Sequence, residues 1–124
     1  MKKRRPVNLD IGTIQLPLAA LTSITHRITG VVLFGGLAVL LYLFNLSLTG
    51  EGGFKEVQAL MANMLVKLVV WLVLSAFAYH LIAGCKHLLL DLGIGETKEA
   101  GPTGAKLVVV ISVVMAVLLG VWLW

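Results

Sequence analysis

Three stretches of this chain are apolar for long enough to be read as membrane-crossing helices. The first runs from Leu18 to about Leu48. Its charged and imidazole side chains, Arg27 and His26, both lie near its start. The remainder, Ile28 to Leu48, has no charge and alone matches the 20 or so residues that cross a bilayer core. The helix therefore begins below the membrane and leaves Ser23, His26 and Arg27 at the interface. Pro17 suits its first turn, where a missing N–H costs nothing. The second apolar stretch predicts a helix over about 62–92, with a short amphipathic lead-in from Phe54 to Asn63. The third predicts a helix over about 105–124, and from Leu107 onward it contains no ionisable side chain. Glycine-rich loops separate them: Thr49 to Gly53, and Gly93 to Gly104 with Pro102 inside it. Residues 1–16 carry Pro6, Asn8, Asp10 and Gly12 and read as a tail with a short irregular segment. The expectation is an all-α membrane protein of three transmembrane helices, with 1–124 forming one domain.

Composition agrees. Of 124 residues 59% are hydrophobic and only 13% charged, and the mean hydropathy is +0.99. That charged share is about half the usual, so no separate soluble catalytic domain is expected. The net charge of +4 gathers in Lys2, Lys3, Arg4 and Arg5. Before an apolar span such a run marks the cytoplasmic side and its anionic lipid surface. Nucleic acid is not expected as a partner, because no aromatic-interleaved basic surface follows. Arg27, Lys86, Lys98 and Lys106 add to the same side, whereas the first loop holds Lys55, with Lys67 just inside the span. The positive-inside rule then puts the N-terminus in the cytoplasm and the C-terminus in the periplasm. Cys85, the single cysteine, has no partner for an internal disulfide and reads as a small packing residue. Trp122 and Trp124 fit an interfacial anchor, and Gly35 and Gly36 allow close approach of a helix or a flat ligand.

Topology brings two helix ends together. Ser23, His26, Arg27 and Gly30 fall at i, i+3, i+4 and i+7, and His80, Gly84, His87 and Asp91 at i, i+4, i+7 and i+11. The first helix runs outward and the second inward, so all three histidines collect in one leaflet. Ionisable groups there usually face protein, cofactor or a water-filled cavity. Two readings of His80 stand: a histidine bonded to a backbone carbonyl or hydroxyl, or an axial ligand of haem iron. For the second, Gly84 would leave room for a porphyrin plane, and His26, Arg27, Lys86 and His87 would supply partners for propionates. Ser23 and Arg27 can also donate to a quinone carbonyl, with the cation stabilising an anionic reduced form; snorkelling of Arg27 competes. A serine hydrolase is not expected, because no orienting carboxylate sits beside Ser23 and His26.

Two motifs carry a resemblance over essentially the whole chain. The first is Arg5-Pro6, an interval, then Ser23-Ile24-Thr25-His26-Arg27-Ile28-Thr29. The second is His80-x-x-x-Gly84-x-Lys86-His87-x-x-x-Asp91-x-Gly93. In these the chain resembles the membrane-anchor cytochrome b556 subunits of bacterial succinate dehydrogenase (respiratory complex II). It departs at Lys86, where that family usually has Arg, and at Cys85, where it has an aliphatic residue. Lys keeps the charge but loses the planar fork.

The resemblance implies a non-catalytic subunit for succinate within an oxidoreductase complex of the bacterial inner membrane. Its partners would be a second three-span anchor, an iron–sulfur subunit and a flavoprotein. His80 would ligate the iron of one haem b shared with the partner anchor. His26, Arg27 and His87 would lie near the propionates, and Ser23 and Arg27 would line the ubiquinone-reduction site. The alternatives are an anchor of a quinol:fumarate reductase and a cofactor-free structural membrane subunit. The orientation is checked with alkaline phosphatase fusions, which are active only outside the cytoplasm. A fusion after Gly52 should be active and one after Lys98 inactive; the opposite pattern would invert the topology.

Overall fold

The computed structural model describes residues 6–124, so Lys2 to Arg5, including the Arg5 of the Arg-Pro pair, lie outside the described residues. Among the described residues the chain is helical and has no strand. Its helices are α1 (Leu18–Ser47), α2 (Glu51–Ala62), α3 (Met64–Asp91) and α4 (Ala100–Leu123). Three of them, α1, α3 and α4, are long and apolar enough to cross a membrane. At 1.5 Å per residue the 30 residues of α1 extend about 45 Å, against about 30 Å of hydrocarbon. Ahead of α1, the Asp10 side chain accepts from Gly12 N at 3.0 Å and caps a single 3-10 turn at Ile11–Thr13.

The helices end where local chemistry stops them. The Asn63 side chain caps α3, accepting from Leu65 N at 2.9 Å and Val66 N at 3.3 Å. At the other end Gly93 takes φ +77, a left-handed conformation that favours glycine. There Ile94 N donates to Leu89 O and Gly93 N to Leu90 O, each at 2.9 Å, which satisfies two of the last carbonyls.

Two helices start earlier than the sequence pattern predicts. Helix α2 begins at Glu51 and takes in Gly52 and Gly53, which read as loop. Glu51 sits favourably at the positive end of the helix and pairs with Lys55 at 2.6 Å. Both side chains are exposed, so the pair contributes at most a few tenths of a kcal/mol. Helix α4 begins at Ala100 instead of about 105. Pro102 lies in its first turn, where no intrahelical N–H is needed, and the Thr97 hydroxyl accepts from Ala100 N at 3.0 Å.

The long helices alternate in direction, and α3 packs against both neighbours. On α1 the seam toward the bundle is Thr22, His26, Thr29, Leu33 and Gly36, spaced 4, 3, 4, 3; Thr22 and Gly36 are buried and the rest half-buried. That is the spacing of shallow antiparallel helix packing. Its partners on α3 run in the opposite sense from one end of the seam to the other: Tyr79 and His80 bond at Thr22 and His26, and Val73 meets Gly36. Against α4, Trp71 Nε1 donates to Ala116 O at 2.9 Å, and the enclosed residues of α4 are Ala105, Val108 and Ser112. Lys67 Nζ lies 5.5 Å from the Trp124 ring centre, a cation–π contact that joins the start of α3 to the end of the chain. Most large apolar side chains remain exposed, as lipid and partner helices require.

Gly36 and its neighbour Gly35 have opposite surroundings. A Cβ on Gly36 would stand 2.7 Å from both Val73 γ-carbons, whereas one on Gly35 meets nothing within 4 Å. Gly36→Val should therefore lower the thermal stability of the assembled protein by about 1–3 kcal/mol, and Gly35→Ala should leave it unchanged. Equal melting temperatures for the two variants would mean the seam does not run through Gly36.

Candidate functional site

The α1–α3 crossing near the N-terminal end of α1 gathers the polar residues of both helices. Small residues let the backbones approach there. A Cβ on Gly30 would sit 3.2 Å from His80 Cε1, and one on Gly84 would sit 3.4 Å from His26 Nε2. Each glycine thus leaves space for an imidazole of the opposite helix. Tyr79 fastens the crossing one turn away, its hydroxyl donating to the Thr22 carbonyl at 2.8 Å.

The resulting cluster contains all three histidines. The His26 and His80 rings stack with centres 4.0 Å apart and planes 15° from parallel. His87 lies 5.1 Å from His26, tilted by 54°. With Leu81, Gly84, Cys85 and Leu88 they line a cleft of about 390 Å³. The space over Gly84, expected to receive a flat ligand, is occupied by the His26 ring, because Gly84 falls opposite His26 where the helices cross.

One imidazole is fixed by hydrogen bonding. His80 Nδ1 lies 3.0 Å from the His26 carbonyl oxygen and 3.2 Å from Thr29 Oγ1. A carbonyl has no hydrogen to give, so the N–H must be on Nδ1 and donate toward it. The lone pair is then on Nε2. Second contacts of this kind set which imidazole nitrogen serves as a ligand. The Thr29 hydroxyl donates to the same His26 carbonyl at 2.9 Å.

The donor set discriminates between cofactors. No group of three His, Cys, Asp or Glu side chains among the described residues could hold a bare metal ion. A haem brings four of its own nitrogens and would need only a single imidazole from this chain. A single histidine, its Nδ1 held by a backbone carbonyl at a cleft edge, fits that demand.

The other predicted site residues spread around this centre. Ser23 is half-buried and Arg27 exposed on α1. They flank the α1–α3 seam, unlike His26, with which the sequence pattern grouped them. The one ion pair among the described residues is Lys55–Glu51, so Arg27 has no carboxylate partner within them. Lys86 turns away from the histidines: its Cε is 3.5 Å from where a Gly104 Cβ would be, and it lines a groove against α4. Cys85, expected as a packing residue, is exposed. Asp91 is the last residue of α3 and is also exposed. Thr22 and Tyr79 were not singled out from the sequence, and Thr29 entered only as the last position of the first motif, with no role attached. The seven-residue spacing of Thr22 and Thr29, bracketing His26, was the available signal.

These features define a multi-pass membrane protein with a histidine cleft between two of its spans. Comparison with known proteins makes the class specific. Residues 1–119 match the family described as the succinate dehydrogenase/fumarate reductase transmembrane subunit, and the chain belongs to that family. A succinate dehydrogenase cytochrome b556 subunit of Coxiella burnetii is 42% identical, with both chains covered in full. The protein of the same name from Paracoccus denitrificans is 33% identical over 92% of this chain and 88% of its own. That from Rickettsia bellii is 32% identical over 95% and 92%. As a family member this chain is a membrane-anchor subunit of complex II.

Proposed function

We propose that this chain holds one haem b through His80 and contributes Ser23 and Arg27 to the site where ubiquinone is reduced. The haem would be shared with a second three-span anchor. The observation that carries the haem reading is the pinned imidazole: Nδ1 is committed to the His26 carbonyl, which leaves Nε2 as the ligating nitrogen beside the cleft. The bound haem supplies a one-electron redox centre. His26 and His87 line the same cleft and can donate to propionates, as can Arg27 from the exposed side of α1.

Reducing a quinone to a quinol takes two electrons and two protons, with negative charge building on the carbonyl oxygens. A fixed guanidinium stabilises that charge, and a serine hydroxyl donates to the same oxygen. Arg27 and Ser23, one helical turn apart and outside the α1–α3 seam, can serve one headgroup with the remaining contacts coming from partner chains. The electrons would come from succinate through a flavoprotein and an iron–sulfur subunit docked on the cytoplasmic face. The charge bias supports a cytoplasmic N-terminus for α1 in the bacterial inner membrane, with the C-terminus in the periplasm. Leu81 lines both the histidine cleft and an apolar groove between α3 and α4, so the exposed surface around it is the face for the second anchor. A fumarate reductase anchor would use the same residues in the opposite direction; the names of the relatives favour succinate oxidation.

A reduced-minus-oxidised visible spectrum of the purified complex tests the haem. A b-type signal is expected, lost or strongly altered in His80→Ala, and its absence from the intact complex would leave a cofactor-free anchor. For the quinone site, Ser23→Ala and Arg27→Leu should cut succinate–quinone turnover at least tenfold while succinate–dye turnover stays near normal. Wild-type quinone turnover in both variants would move the site elsewhere.

A further inference from the structure

Thr29 has no role in the function outlined above, yet it touches the histidine on which the haem reading rests. Its hydroxyl makes two contacts at once: 2.9 Å to the His26 carbonyl oxygen and 3.2 Å to His80 Nδ1. The hydroxyl hydrogen goes to the carbonyl, because that carbonyl has none to offer. The oxygen lone pairs of Thr29 are then left for the N–H of His80. That N–H is shared between two acceptors on α1, the His26 carbonyl at 3.0 Å and the Thr29 hydroxyl. Gly30 admits the ring to this notch, since a Cβ there would stand 3.2 Å from His80 Cε1.

We propose that Thr29 is a positioning residue for haem ligation, acting through His80 by accepting part of its Nδ1 hydrogen bond. The inference rests on the haem reading and deepens it. An imidazole whose N–H is drawn toward acceptors is a more basic ligand at its other nitrogen. A more basic ligand favours ferric over ferrous iron, so it lowers the midpoint potential. Thr29 also steadies the ring plane, because two acceptors on neighbouring residues restrict rotation more than one does.

Removing the hydroxyl takes away one acceptor and leaves the backbone carbonyl, which no substitution deletes. In the purified complex, Thr29→Val should keep its b-type haem and titrate at a higher midpoint potential than wild type. Thr29→Ala, which lacks the branched methyl, should shift in the same direction. Thr29→Ser keeps the oxygen and should restore the wild-type potential. A role in packing alone would instead make Ser resemble Ala. The proposal fails if Val and Ala both titrate at or below the wild-type potential, or if Ser shifts as far as Ala. Failure of the haem reading is a different result, the absence of any b-type signal from the wild-type complex.

Discussion

The hydrogen bond from His80 Nδ1 to the His26 carbonyl, 3.0 Å long, is the contact on which the rest of the site depends. It crosses between two membrane helices in a low-dielectric region, where an unpaired imidazole N–H or a misdirected carbonyl is costly. It can form only where α1 and α3 come close, and the missing side chains of Gly30 and Gly84 provide for that. Its formation puts the N–H of His80 on Nδ1, toward the His26 carbonyl. Helix packing and the orientation of the His80 ring thus meet in one short contact.

The site follows a division of labour seen along both helices. Residues of the α1 seam, Thr22, His26 and Thr29, give their backbone or hydroxyl oxygens to α3. Residues just off the seam, Ser23 and Arg27, stay accessible to other molecules. One helix can therefore brace its neighbour and still present polar groups to a partner, because successive side chains point about 100° apart. The far end of the bundle is held differently, by the Trp71 bond to the Ala116 carbonyl and by the Lys67–Trp124 contact. Aromatic rings with a polar edge suit the boundary between lipid and water.

Much of the plan was legible without coordinates. Helix number and approximate length follow from hydropathy, because a membrane span must bury its backbone within itself and be apolar over a fixed thickness. The gathering of three histidines followed from alternating helix direction. The helix starts were less legible. Gly52, Gly53 and Pro102 read as breakers, but in a first turn a helix tolerates them, and Glu51 and Thr97 supply the compensating charge and cap. Grouping by face also had limited resolution: Ser23, His26 and Arg27 fall within a little over a turn, and only the seam separates them.

The sequence by itself determined the class of molecule: three apolar helices, a basic side, histidines at one level, and motifs of a known membrane-anchor family. These are one-dimensional properties, readable because bilayer thickness and helical periodicity are constants. The tertiary structure decided what each residue faces. It stacked His26 on His80 beside Gly84, turned Lys86 toward α4, enclosed Thr22, and put the Thr29 hydroxyl against His80. Such outcomes depend on the rotation and register of one helix against another. Those are fixed by contacts between residues some fifty positions apart, which no local pattern records.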